Sequence, residues 1–114
     1  MENAQLVAQI DDQISHIWMV RTFLKHCDEA MDDEELAEVH RALYDVMLAL
    51  GPALEAGNHA EYLKIARKKW TRLRQATDSF QEIQPDVSGH MNFKMAAKSL
   101  RIAVAEFDRL LSSP

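Results

Sequence analysis

The chain has 114 residues, 47% hydrophobic and 27% charged, with a formal net charge of −5. This is the length and composition of one globular domain, with enough chain to bury a core unaided by disulfides or metal. Three glycines and three prolines argue against an all-β chain rich in tight turns, and the single cysteine, Cys27, excludes an intramolecular disulfide and suits a reducing, cytoplasmic setting.

The chain start, Met1-Glu2-Asn3-Ala4-Gln5, has neither the basic residues nor the apolar run of a signal peptide. Arg21 and Lys25 interrupt the only stretch that approaches a membrane span, so no membrane partner is expected. The net charge hides a segregation. Residues 1–56 carry twelve acidic and three basic side chains, whereas residues 57–114 carry six acidic and ten basic ones. Acidic helices lying beside basic ones explain this without a partner. An acidic first half would also repel phosphates, so no nucleic-acid partner is expected.

The first predicted helix runs from about Ala4 to about Ala30, with Leu6, Val7, Ile10, Ile14, Ile17, Leu24 and Met31 at helical spacing. Its segment Ile14–Leu24 is the most apolar in the chain. Ile14, Ile17, Trp18 and Leu24 share one face, which Val20 widens, and Met19 and Phe23 lie opposite. Such broad coverage implies a central helix or one that meets a second chain. Arg21 points into the middle of the main apolar face. A buried charge needs a partner, and a carboxylate such as Asp45 or Glu61 is the expected one. Orphaning that partner by Arg21→Ala would cost roughly 3–5 kcal/mol.

The run Asp32-Asp33-Glu34-Glu35 reads as a helix start, with Asp32 as cap and Glu35 as its capping-box partner. The second helix spans about Glu34–Leu50 on the stripe Leu36, Val39, Leu43, Val46, Met47 and Leu50; Gly51-Pro52 should break or kink it, with Ala53–Ala56 as one further turn that has Pro52 at its first position. Gly57 reads as a stop and Asn58 with Glu61 as the next capping pair. Residues Ala56–Leu63 resemble the inter-helix turn of a tetratricopeptide repeat, but no second copy follows at that family's spacing and capping explains the segment, so no family is assigned.

The third helix spans about His59–Ile83, with Tyr62, Leu63, Ala66, Trp70, Leu73, Thr77 and Phe80 inward and most of its cations outward. Gln84-Pro85-Asp86 ends it. The fourth starts at a cap on Asp86 or Ser88 and runs to about Leu111 on Phe93, Ala96, Ala97, Leu100, Val104, Phe107 and Leu111, with Met91, Met95 and Ile102 as a second stripe. Four helices with short connections form an all-α, antiparallel up-down four-helix bundle, a single domain over residues 1–114.

No enzymatic machinery is legible. No histidine has Glu three residues before it, there is no His-Glu-x-x-His and no Gly-rich phosphate loop, and Cys27 lacks an evident base. No catalytic residue, metal ligand or cofactor is therefore assigned. Two main readings remain, beside a third and weaker one, nucleic-acid binding through the cationic third helix, which an exposed Trp70 would favour. One is a non-catalytic helical interaction or structural module that self-associates as a homodimer, or meets another protein, through the surplus apolar face of His16, Met19, Phe23, Met91, Met95 and Ile102. The other is a bundle that holds a small ligand or metal in a polar core around Arg21, His40 and His59.

Overall fold

The computed structural model of the chain describes residues 1–112. These residues form an all-α fold of five helices without a strand: α1 (Asn3–His26), α2 (Asp28–Asp32), α3 (Glu34–Glu55), α4 (His59–Val87) and α5 (Met91–Leu111). The four long helices pack in the ring order α1, α3, α4, α5, and α1 also meets α4 across the middle. All five contribute to one buried apolar cluster, in which Ile10, Ile17, Leu24, Leu36, Leu43, Leu73, Phe80, Leu100 and Phe107 are fully covered. These are residues of the periodic stripes, and their removal from water is the main favourable term in folding.

The helix ends depart from the sequence reading in five places. The first helix stops at His26, because Cys27 turns extended and its N–H bonds back to the Leu24 carbonyl. A separate one-turn helix, α2, follows. The cap of α3 is Asp33 rather than Asp32: its carboxylate accepts the Leu36 N–H at 2.9 Å. The Gly51-Pro52 step does not end α3, which continues to Glu55. Proline removes only one hydrogen bond here, both residues face solvent, and Leu50 and Ala53 on the opposite side are buried and hold the turn in place. Pro85 is likewise exposed and inside the last turn of α4, which therefore reaches Val87 instead of ending near Ile83. Finally, α5 is capped by His90, whose Nδ1 accepts the Asn92 N–H at 3.0 Å, while Ser88 Oγ accepts the His90 N–H.

The α3–α4 turn follows its sequence signals. Gly57 adopts φ +67°, the left-handed conformation favoured by glycine. The Gly57 N–H donates to the Leu54 carbonyl and the Asn58 N–H to the Ala53 carbonyl, the paired bonds of a Schellman motif. Asn58 Oδ1 then accepts the Glu61 N–H and starts α4.

The two exposed glycines at this end of the molecule should behave oppositely. A Cβ would meet nothing within 4 Å at either Gly51 or Gly57, so only backbone conformation separates them. Gly57→Ala forces alanine into the left-handed region and should destabilise by roughly 1–2 kcal/mol. Gly51→Ala, inside a helix at ordinary φ, should stabilise by roughly 0.5–1 kcal/mol. Urea unfolding of both variants checks this, and equal signs would contradict it.

Candidate functional site

Among the described residues Arg21 is the one buried charged side chain, only 8% exposed. It does not meet either carboxylate expected from the sequence. Asp45 binds Arg72 at 2.8 Å, and Glu61 stands exposed at the start of α4. The guanidinium of Arg21 lies instead in the corner made by two tilted aromatic rings, 5.0 Å from the Trp18 centroid and 4.4 Å from that of Tyr44. The ring faces carry the negative part of the aromatic quadrupole, so they stabilise the cation where no carboxylate reaches it. Trp18 is one turn before Arg21 on α1, and Tyr44 comes from α3.

This arrangement also corrects the placement of Trp18. The sequence put it inward with Ile14, Ile17 and Leu24, but it is 44% exposed, at the α1–α3 seam beside Tyr44, with ring centroids 6.4 Å apart. The aliphatic stem of Arg21 takes the inner position and its head reaches outward to the rings, as long cationic side chains do. Arg21 Nε is buried without a hydrogen-bond partner, so the stacking is the main recompense for its burial.

Arg21 and His40 line one shallow groove of about 370 Å³, with Glu38, Arg41, Tyr44, Asp45 and Arg72. His59 is not part of it: it is the first residue of α4, half-buried. The three polar residues expected to form one core are thus divided. Arg41 pairs with Glu34 and Glu38, and Arg72 with Asp45 and Glu38, so the groove's other cations already have carboxylates. Burial first, then the positive charges of Arg41, Arg21 and Lys25, hold the His40 imidazole below its ordinary pKa of 6.5, against a smaller opposing effect of Glu38.

No group of three or more His, Cys, Asp or Glu side chains among the described residues is arranged to hold a metal ion. The Cys27 thiol donates to the Leu24 carbonyl, and burial pushes its pKa upward, which disfavours the thiolate.

A second groove, of about 410 Å³, runs along the α1–α3 seam beyond Tyr44. Its lining is Asp11, Ile14, Trp18, Tyr44, Met47, Leu48, Leu50, Gly51, Pro52, Leu54, Glu55 and Tyr62. The Tyr62 hydroxyl is buried here without a partner, and burial together with the Asp11 charge raises its pKa. Leu48 is 60% exposed. The sequence reading gave α3 one apolar stripe and missed this surface. The spacing Tyr44, Leu48, Gly51, Glu55 was the available signal, since those positions share a helix face.

The third depression lies between α1 and α5. His16 lines it with Gln13, Met95, Lys98, Ser99, Ile102 and Ala103, in a volume of about 420 Å³. Met19 and Met91 are exposed on the same two helices. Phe23 belongs elsewhere: it is half-buried and meets the edge of Phe93, with centroids 5.1 Å apart. Trp70 is half-buried and stacks on Phe107 at 6.0 Å, a packing role as read from its stripe.

Because no buried carboxylate is left behind, Arg21→Met should cost less than the roughly 3–5 kcal/mol of a broken buried pair. The loss should stay near the roughly 2 kcal/mol of a desolvated cation–π contact, since methionine keeps most of the stem. Chemical denaturation and Trp18 fluorescence check this together, and an unchanged emission spectrum would contradict the stacking.

A pH prediction follows from His40. Its folded pKa lies below the unfolded 6.5, so the unfolded chain binds the proton more readily. This contribution to stability is complete above pH 6.5 and declines as pH falls below it. Comparing melting temperatures at about pH 7.5 and about pH 5.5, His40→Gln should lose less than the wild-type chain. An equal loss would remove His40 from the account.

Comparison of the chain with protein-family models, with curated proteins and with solved structures returns no significant match.

Proposed function

We propose that the protein is a non-catalytic helical interaction module, built as an antiparallel up-down four-helix bundle, that associates with copies of itself through the outer face of α1 and α5. Two features support the bundle. Chain neighbours are also spatial neighbours around the ring α1, α3, α4, α5. Phe23, near the end of α1, meets Phe93, near the start of α5, as an antiparallel pair requires.

The observation that carries self-association is the exposed set Met91, Met95 and Ile102 on α5, with Met19 on α1. On α5 these residues recur at intervals of four and seven, which places them on one side of the helix, away from the buried Phe93, Leu100 and Phe107. The core does not use them. Met95 and Ile102 line one depression, exposed apolar side chains gathered on one helix side mark interaction sites, and methionine is enriched at such interfaces. His16 borders the patch, whereas Phe23, engaged with Phe93, is no longer part of it.

The ligand-binding alternative has less support, because His59 stands apart from Arg21 and His40 and the aromatic rings already engage the Arg21 cation. The same reading gives the module no nucleic-acid partner, given the acidic first half, and a cytoplasmic setting, given a single free cysteine. No helix among the described residues is long and apolar enough to cross a membrane.

Equilibrium sedimentation at tens of micromolar should give a mass above that of the 13.0 kDa chain. The double substitution Met95→Glu and Ile102→Glu, at exposed positions, should return it to the monomer without altering the helical circular dichroism. A monomeric wild-type chain would overturn self-association. Phe23→Glu is not a suitable probe, since it would disrupt the contact with Phe93.

A further inference from the structure

We propose that the apolar stripe of α5 docks head to tail into the α1–α3 groove of a second copy of the chain. This rests on the self-association reading and names the surface that receives the stripe.

The groove is open and largely apolar. Trp18, Tyr44, Leu48 and Leu54 are all exposed around it. Gly51 forms a notch among them. This glycine is helical, has no left-handed φ, and a Cβ there would meet nothing within 4 Å. Glycine weakens a helix interior, and neither packing nor backbone geometry demands it at this position. What the missing side chain provides is space. The next residue, Pro52, has no N–H, so the Leu48 carbonyl lacks its helical donor beside the notch. The groove therefore offers an apolar floor and a backbone acceptor.

Charge selects the occupant. The ionisable groups that line the groove, apart from the tyrosines, are the carboxylates of Asp11 and Glu55, and no cation lines it among the described residues. The α5 stripe is flanked by Lys94, Lys98 and Arg101, all exposed. A two-fold contact of α5 with α5 would bring these cations together, whereas the α1–α3 groove meets them with carboxylates. Within one chain α3 and α5 occupy opposite positions in the ring, so the stripe cannot cover its own groove. One intermolecular contact covers both surfaces. Because it joins two different patches, each copy keeps one free groove and one free stripe, and growth continues until a ring closes or a filament forms.

Two variants test this by complementation. The first blocks the groove with Leu48→Lys and Gly51→Trp, and the second blocks the stripe with Met95→Glu and Ile102→Glu. Each alone should sediment as a single 13.0 kDa chain with wild-type helical circular dichroism. Mixed in equal amounts they should form a complex of two chains and nothing larger, since one intact stripe and one intact groove remain. The wild type should exceed two chains as concentration rises. Should either double variant fail to fold, the single substitutions Leu48→Lys and Met95→Glu replace it, each expected to weaken association at least about tenfold. A groove-blocked variant that assembles like the wild type would overturn the head-to-tail contact while leaving self-association intact. A mixture that stays monomeric would also overturn it. A wild-type chain monomeric throughout would overturn both readings.

Discussion

The burial of Arg21 is the constraint on which the α1–α3 seam depends. A guanidinium inside an apolar helix face cannot be left without compensation, and no carboxylate of the described residues pairs with it. The protein resolves this with two aromatic faces, one from each helix. The solution has a structural consequence. Trp18 leaves the core for the seam, Tyr44 is held beside it, and the pair becomes one wall of an open apolar groove. A surface feature thus originates in an internal electrostatic problem.

Charge segregation along the chain becomes polarity in space. The acidic first half supplies α1, α2 and α3, and the basic second half supplies α4 and α5, so neighbours in the ring attract across the α3–α4 contact through Arg72 with Asp45 and Glu38. These pairs are half-exposed and contribute little to stability, which comes from the apolar cluster beneath them. An acidic flank with an exposed apolar groove and a basic helix with an exposed apolar stripe belong to one molecule, and complementary charge selects partners and register more than it adds affinity.

The ionisable residues otherwise serve the scaffold. The imidazole of His90 caps α5, and its Nδ1 is occupied by a backbone N–H. His40 is kept toward its neutral form by burial and nearby cations. The Cys27 thiol is spent on a helix-end carbonyl. Beside these engaged groups, the exposed large apolar side chains Met19, Leu48, Met91, Met95 and Ile102 have no role in the core.

The sequence by itself determined the four long helices, though not the short α2, because amphipathic periodicity is a local property of one helix and its own solvent boundary. The stripes of α3, α4 and α5, the Gly57 stop, the Asn58 cap and the second stripe of Met91, Met95 and Ile102 were all legible from spacing and side-chain chemistry. So was the anomaly of Arg21. A further turn after Pro52 was legible too, but its unbroken continuity with α3 and the extension of α4 through Pro85 were not, because one lost hydrogen bond is tolerated when the opposite side of the turn is anchored or the residue faces solvent. Nor was the fate of residues at the edge of a stripe. Periodicity gives the angle of a side chain about its own axis but not which neighbour covers it. Trp18 was therefore placed inward, Phe23 outward and Arg21 beside a carboxylate. The packing of α1 against α3 and α5 decided all three, by placing Tyr44 over Arg21 and Phe93 against Phe23.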